Sequence, residues 1–198
     1  MVTMQNFLES LTGKPLIQSL ENYLEERFES FPDIHDSYIK AIAQLREELG
    51  TDISPSVDDM VAAIDSQTTS NLLFSGSLGI KANFDNFIDP LTRNFLDVDF
   101  EIYLREETAH RMPKYAQSQG VLDQFYTSLS ADQKVLYEDV IAYTCYLETI
   151  APKLAHYYGY LLGNELFPHI IPGYHSDMAL SLRYCMMMRD YLERNDRS

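Results

Sequence analysis

The sequence predicts an all-α fold: a bundle of about six or seven helices around a long, kinked central helix. Apolar residues recur at steps of three and four along the chain, and strand-like alternation hardly occurs. Capping residues, prolines and glycines fall where such helices would begin and end. With 198 residues, 45% of them hydrophobic, the chain is long and apolar enough for one core, so residues 1–198 are predicted to form a single helical domain.

Residues 1–50 are predicted to form an acidic helical hairpin, which need not belong to the main core. Pro32 separates its two helices, and Gly50 is a natural stop for the second. Ser54 followed by Pro55 predicts the start of a third helix, because serine caps helices and proline is tolerated in the first turn.

Gly76 and Gly79 interrupt the apolar pattern of this third helix. An interior glycine lowers helix stability by about 1 kcal/mol relative to alanine. Either the helix breaks there, or another backbone packs closely against it. Two further helices are predicted between Asp97 and Leu129, the first of them ending before Pro113.

The clearest predicted helix begins at Ser130, which has a glutamine three residues later and so fits a capping box. Pro152 is predicted to kink this helix, which should end near Asn164. An irregular apolar loop is expected over 167–174, and Ser176 should cap the last helix. The apolar residues of the long helix recur at alternating steps of four and three, as suits packing between long, nearly antiparallel helices: Leu136, Val140, Tyr143, Leu147, Ile150, Leu154, Tyr157 and Leu161.

The charge balance excludes some function classes. Thirty acidic and fifteen basic residues give a net charge of −15, which disfavours direct nucleic-acid binding and binding to an anionic membrane. No apolar stretch approaches the roughly 20 residues of a membrane span, and no signal peptide is recognisable, so a cytoplasmic location is predicted. Residues 1–99 hold 17 acids and 6 bases, which leaves open an acidic mimic of nucleic acid that binds a basic protein.

One pair of residues has the spacing of metal ligands. Glu107 and His110 lie three apart on a predicted helix, as in di-iron carboxylate bundles, and Glu148 or His156 of the long helix could complete a site. The motif occurs once instead of twice, so a solvated helix face is the alternative explanation. No cofactor is predicted, and a metal ion is the minor alternative.

A second group of residues indicates a ligand or protein interface. The long helix is rich in tyrosine, the apolar loop carries histidines, and the last helix contains three consecutive methionines that cannot all face one core. The alternative is that the tyrosines rim a core and the loop is a rigid connector. The ligand or interface candidates are Tyr143, Tyr157, His169, His175 and Met187.

The sequence alone does not determine the function. It favours a cytoplasmic, non-enzymatic interaction or regulatory domain that binds a protein partner or associates with itself. This interpretation depends on the absence of a complete catalytic motif, the acidic composition and the surplus of tyrosine and methionine. The alternative is a helical-bundle enzyme that binds a metal or a small ligand.

Overall fold

The computed structural model describes residues 16–27, 32–50, 53–88, 112–171, 174 and 177–195. No strand occurs among them, apart from an isolated bridge between Ile88 and Tyr174, so the all-α prediction is confirmed. The described helices are α1 (Leu16–Arg27), α2 (Pro32–Leu49), α3 (Val57–Phe87), α4 (Met112–Ser128), α5 (Ala131–Leu136), α6 (Glu138–Thr149), α7 (Ala151–Ile170) and α8 (Met178–Asn195).

Single residues separate α5, α6 and α7, which therefore form one long bent helix. Counted this way, the described residues form six helices, within the predicted number. The break between α6 and α7 falls at Ile150, two residues before Pro152. Proline has no N–H to donate to the preceding turn, which explains why the helix bends here, as predicted.

The chain divides into two compact units. The first unit contains α1, the part of α3 from residue 72, α7 from residue 152, and α8. The second contains α2, the part of α3 up to residue 71, α4, α5 and α6. The helices of the predicted N-terminal hairpin thus fall in different units, and the single-domain organisation stays a prediction.

Local capping chemistry sets several helix ends. At the start of α5, Ser130 Oγ accepts a bond from the Gln133 amide (3.3 Å) and Gln133 Oε1 accepts one from the Ser130 amide (2.9 Å), which is the predicted capping box. Gly50 ends α2 with φ +63°, also as predicted.

Helix α3 begins two residues later than Ser54 and Pro55 indicate. The cap is Ser56, whose Oγ accepts a bond from the Asp59 amide (3.1 Å), while the Asp59 carboxylate accepts one from the Ser56 amide (2.9 Å). This reciprocal pair satisfies two backbone donors, which explains why the start moves to Val57.

The loop predicted over 167–174 is wrong in its first part, because α7 continues to Ile170 with Pro168 inside it. Contacts made by residues on both sides of Pro168 keep this last turn of α7 helical. The Ile171 amide donates to the Phe167 carbonyl (2.9 Å), and the fully buried Phe167 ring packs edge-on against Phe84 at 5.8 Å. Hydrophobic burial here outweighs the single helical hydrogen bond that proline removes.

The core of the first unit joins α1 to α3 and α7. The buried face of α1 carries Leu20 and Leu24. It packs in one cluster with large side chains of α3 and α7, including Ile80, Phe84 and Phe167. A single apolar stripe on α1 therefore attaches that helix to the other two.

A close backbone contact joins α3 and α7. A Cβ placed on Gly79 would lie 1.9 Å from the carbonyl oxygen of His156, and one on Gly159 would lie 1.9 Å from the carbonyl oxygen of Gly76. Of the two alternatives for Gly76 and Gly79, the close approach is therefore correct, and α3 continues through both glycines. Only residues without a side chain permit this separation.

Of the apolar seam predicted along the long helix, Val140 and Leu147 of α6 are buried, and the other six residues are only half-buried. The seam is displaced most clearly in α7, where Leu154, Tyr157 and Leu161 are all half-buried. Between residues 151 and 163, the buried positions of α7 are small or lie beside the small ones: Ala151, Ala155, Gly159, Tyr160, Leu162 and Gly163. Small residues occupy the centre of a close crossing, and larger ones lie at its sides.

The second unit packs α2 mainly against α6. Its contact includes the stacked rings of Tyr38 and Tyr143, whose centroids are 4.3 Å apart, and Tyr146 stacks on Tyr143 at 6.3 Å. Within the described ranges, no helix combines the length and apolarity that a membrane span requires.

Candidate functional site

A cleft of about 330 Å³ opens in the first unit beside the crossing of α3 and α7. Helix α3 contributes one wall, the first turns of α7 the second, and α8 closes one side. The lining residues are Ser75, Leu78, Pro152, Lys153, His156 and Tyr184. Because Gly79 contacts the backbone of His156, the two helices cannot approach further beside the cleft.

A histidine and a tyrosine form the polar centre of this cleft. His156 Nδ1 is hydrogen-bonded to the Tyr184 hydroxyl. Burial lowers the pKa of His156, so its imidazole is neutral at pH 7. Burial, followed by the nearby Tyr160, raises the pKa of Tyr184, so its hydroxyl keeps its proton. Both groups are therefore neutral, and which of them donates in this hydrogen bond depends on the tautomer of the imidazole.

An aromatic cluster supports this pair. The Tyr184 ring stacks on Tyr160 with centroids 4.3 Å apart and lies 6.2 Å from the ring of Tyr157, nearly parallel to it. Burial and a hydrogen bond with Cys185 raise the pKa of Tyr157 to about 12. Tyr157, a predicted interface residue, thus packs beside Tyr184, and the ring that contacts the cleft is held in place.

Polar groups fix the far end of the crossing. Asn83 is fully buried, and its Nδ2 donates to the Tyr160 carbonyl (3.0 Å) and to Asn164 Oδ1 (2.8 Å). The Tyr174 hydroxyl donates to Asn164 Oδ1 (2.8 Å) and lies 3.1 Å from Asn83 Oδ1. This network holds α3, α7 and Tyr174 together, because buried polar groups are costly to leave without partners.

The outer side of α8 is unusually apolar. Leu180, Leu182, Met186 and Met187 are 43%, 60%, 47% and 71% exposed. The inner side carries Tyr184 and Cys185, which are partly buried. Met187 was predicted from the methionine run, and it points away from the core of its unit. We call the four exposed residues the α8 face.

A second, polar pocket of about 270 Å³ lies in the second unit, lined by Asp65, Ser66, Thr69, Ser70 and Lys114. Burial raises the pKa of Asp65. The predicted residue Tyr143 packs between Tyr38 and His35, whose ring centroid is 5.8 Å away, and burial together with Asp65 raises its pKa. Tyr143 therefore contributes to the packing of this unit.

The other predicted residues do not come together in what the structure describes. Glu107, His110 and His175 lie outside the described residues. Glu148 is exposed on α6, and His169 is exposed on the last turn of α7. Among the described residues, no three histidine, cysteine or acidic side chains are grouped as metal ligands. The metal site built on Glu107 and His110 stays a prediction.

The sequence identified part of the cleft and missed the rest. His156 was selected as a metal ligand, but its partner Tyr184 is 28 residues away on another helix, and no local pattern connects them. The usable signal was the glycine pair, because it indicated where another backbone approaches α3. Comparison with protein families, curated proteins and solved structures finds no match to this chain.

Proposed function

We propose that this chain is a helical interaction domain that associates with a second copy of itself through the α8 face. The supporting observation is the exposure of four large apolar side chains on one helix. Exposed apolar residues scattered singly are ordinary, whereas several on one surface are typical of interfaces.

The spacing of the four residues along the sequence places them on one surface of α8. Leu182 and Met186 are four residues apart, and Leu180 and Met187 are seven apart, so each pair lies along the helix axis. Arg183 lies between the two pairs and is exposed. Methionine side chains adapt to irregular partner surfaces, which suits two of these four residues to an interface.

The charges on α8 favour a second copy over a basic partner. Among the described side chains, Arg183 is the exposed charge between the two apolar pairs. In a two-fold symmetric pair its guanidinium meets the surface of a second chain with a net charge of −15, and the contact occurs twice. A basic partner would instead select one of the acidic surfaces implied by the net charge of −15.

The expected affinity is modest. The exposed fractions of the α8 face amount to about two fully exposed large side chains, and burying these contributes about 3–6 kcal/mol per protomer. Association itself costs about 4–15 kcal/mol. When association costs about 4 kcal/mol, the gain of about 6–12 kcal/mol from both protomers leaves up to about 8 kcal/mol, and a dimer with a Kd on the order of 1–100 μM is expected.

Sedimentation velocity over a concentration range of roughly 1 to 300 μM, which brackets this Kd, tests the proposal. The dimer fraction should rise with concentration in the wild type. It should disappear in the double variant Leu182→Ser, Met186→Ser. Val135→Ser is the matched control, since Val135 is 63% exposed on α5, and it should leave association unchanged.

Charge reversal tests the role of Arg183. Arg183→Glu should weaken the dimer, because it replaces a guanidinium with a carboxylate in a contact between two acidic chains, whereas Arg183→Lys should retain it. Circular dichroism checks that each variant keeps its helix content. A wild type that remains monomeric throughout, or a dimer that the double variant does not affect, would refute the proposal.

A further inference from the structure

The cleft beside the α3–α7 crossing is a candidate binding site that self-association through the α8 face does not use. Its volume of about 330 Å³ lies at the lower end of the range for small-molecule sites, about 300–1,000 Å³. The cleft is therefore large enough for a ligand of one or two rings, whereas a peptide or a nucleotide would extend well beyond it.

The lining of the cleft offers a ligand no free charge. Lys153 is the one charged side chain of the described lining, and it already has an interaction partner, so its ammonium group does not balance a bound anion. Burial keeps His156 uncharged at pH 7, and the described lining contains no carboxylate for a cation. An uncharged ligand is therefore favoured, because a charge that leaves water to enter the cleft finds no counter-ion there.

The walls of the cleft are mostly apolar and continue onto the surface of α3. Leu78 of α3 and Pro152 of α7 provide aliphatic surface, and Tyr184 of α8 provides ring surface. Phe74 lies one turn before Leu78, and the two side chains are 40% and 39% exposed. A flat ring system can therefore contact apolar side chains of three helices.

The hydrogen-bonded pair of His156 and Tyr184 retains one donor and one acceptor for a ligand. Their mutual bond is the one side-chain hydrogen bond that either forms within the described part of the chain. If the Tyr184 O–H donates to Nδ1, the imidazole Nε2–H is the spare donor and the Tyr184 oxygen is the spare acceptor. If Nδ1–H donates instead, the Tyr184 O–H is the spare donor and Nε2 is the spare acceptor. A hydroxyl group both donates and accepts, so it matches the pair in either tautomer.

The cleft is also preformed. Tyr184 stacks on Tyr160 with ring centroids 4.3 Å apart, and main-chain contact at Gly79 limits the approach of α3 to α7. Little conformational entropy is then lost when a ligand enters, which favours binding.

We propose that this cleft binds an uncharged phenol or ring alcohol of one or two fused rings, whose hydroxyl group hydrogen-bonds to the His156–Tyr184 pair and whose rings contact Leu78 and Pro152. The pair supplies the preference for a hydroxyl group, and the apolar walls supply the preference for a ring system. This site is independent of the α8 face, so either proposal can fail without the other.

Isothermal titration calorimetry with three probes on the same ring system tests the proposal: 1-naphthol, 1-methoxynaphthalene and naphthalene-1-sulfonate. The wild-type protein should bind 1-naphthol at one site. It should bind 1-methoxynaphthalene about fivefold more weakly, the effect of one lost hydrogen bond, because the methyl ether cannot donate. The sulfonate should bind most weakly, because its charge finds no free partner in the lining.

Substitution of the polar pair tests which groups select the hydroxyl. The double variant His156→Leu, Tyr184→Phe removes both the donor and the acceptor, so it should bind 1-naphthol no more tightly than 1-methoxynaphthalene. Its binding of 1-methoxynaphthalene should match that of the wild type and shows that the cleft is intact. Tyr184→Phe alone should keep the preference for 1-naphthol, because a neutral imidazole still has one donor and one acceptor.

Two tryptophan variants locate the site. Leu78→Trp places a larger side chain in the cleft and should abolish binding of 1-naphthol. Ile141→Trp is the matched control, since Ile141 is 40% exposed on α6 in the second unit, and it should bind 1-naphthol as the wild type does. In the Leu182→Ser, Met186→Ser background binding should persist, because those residues are not part of the lining.

Three results would overturn the proposal. Tighter binding of the sulfonate than of 1-naphthol would show that the cleft prefers anions. Equal affinities of the wild type for 1-naphthol and 1-methoxynaphthalene would show that the His156–Tyr184 pair does not select a hydroxyl group. Retention of 1-naphthol by a Leu78→Trp protein that is folded by circular dichroism, or its loss in the α8 double variant, would place the binding outside the cleft.

Discussion

Replacing Gly79 by alanine should destabilise the first unit, although alanine is the better helix former. The new Cβ would lie 1.9 Å from the His156 carbonyl oxygen, 2.8 Å from its carbonyl carbon and 2.9 Å from the Tyr160 amide nitrogen. Ordinary van der Waals contact begins at 3.4 Å. Because all three atoms belong to the main chain of α7, no side chain can rotate away, and the two helices must separate.

The magnitude follows from two opposing effects. Glycine to alanine inside a helix gains about 1 kcal/mol from propensity. Overpacking costs about 1–3 kcal/mol where side chains can adjust, and more where a backbone must move. Separation of α3 from α7 also loosens the cluster that contains Ile80 and Phe84. With the main-chain clash costing more than about 3 kcal/mol and propensity returning about 1 kcal/mol, we expect a net loss of about 2 kcal/mol or more, a large part of the 5–15 kcal/mol that stabilises a typical domain.

Urea denaturation followed by circular dichroism at 222 nm measures the effect. Gly120→Ala is the matched control: Gly120 lies inside α4, and a Cβ there meets nothing within 4 Å. This control should gain about 0.5–1 kcal/mol from propensity alone. If Gly79→Ala is as stable as Gly120→Ala, the close crossing of α3 and α7 is refuted.

Three further predictions concern buried polar groups. Asn83→Ala should cost about 2–3 kcal/mol in the same urea assay, because the Tyr160 carbonyl loses its side-chain donor; a loss below about 0.5 kcal/mol would contradict the network. Tyr38→Phe should be neutral or stabilising by up to about 1 kcal/mol, since the buried Tyr38 hydroxyl has no hydrogen-bond partner among the described residues. Tyr23→Phe should instead lose about 0.5–1.5 kcal/mol, because the Tyr23 hydroxyl donates to Glu165 (2.8 Å). A larger loss for Tyr38→Phe than for Tyr23→Phe would refute both assignments. Burial lowers the pKa of His156 from 6.5, so the unfolded chain takes up a proton at a higher pH than the folded one, and the free energy of unfolding falls as the pH drops from 7 to 5. His156→Gln should make the free energy of unfolding less dependent on pH over this range. Equal slopes for the wild type and the variant would show that the histidine is not buried.

The helices were predictable because their signals are local. The capping box at Ser130 and the stop at Gly50 depend on atoms within a few residues of each helix end, and both occur as expected. The end of α7 was not predictable, because Phe167 of α7 packs against Phe84 of α3, and this distant contact keeps the turn around Pro168 helical.

The orientation of α7 shows why hydrophobic periodicity has a limit. The periodicity of large apolar residues predicts that Leu154 and Leu161 face the core. At a close crossing the smallest residues lie at the centre, so Ala155 and Gly159 are buried while the leucines are displaced to the sides. The cleft lies beside the same crossing, which the glycines indicated. Tyr184 of α8, the hydrogen-bond partner of His156, could be identified only from the folded positions of α7 and α8.

The contact between Gly79 and His156 also constrains how this chain can diverge. A clash between two side chains can be relieved by a second substitution that makes the neighbour smaller. The Cβ of any residue at position 79 would meet a carbonyl oxygen of α7, which every amino acid at position 156 retains. No compensating substitution exists there, and the same holds for Gly159 against the carbonyl of residue 76. Relatives with this fold should therefore keep both glycines after the surrounding sequence has become unrecognisable, which makes their spacing a search pattern for distant members.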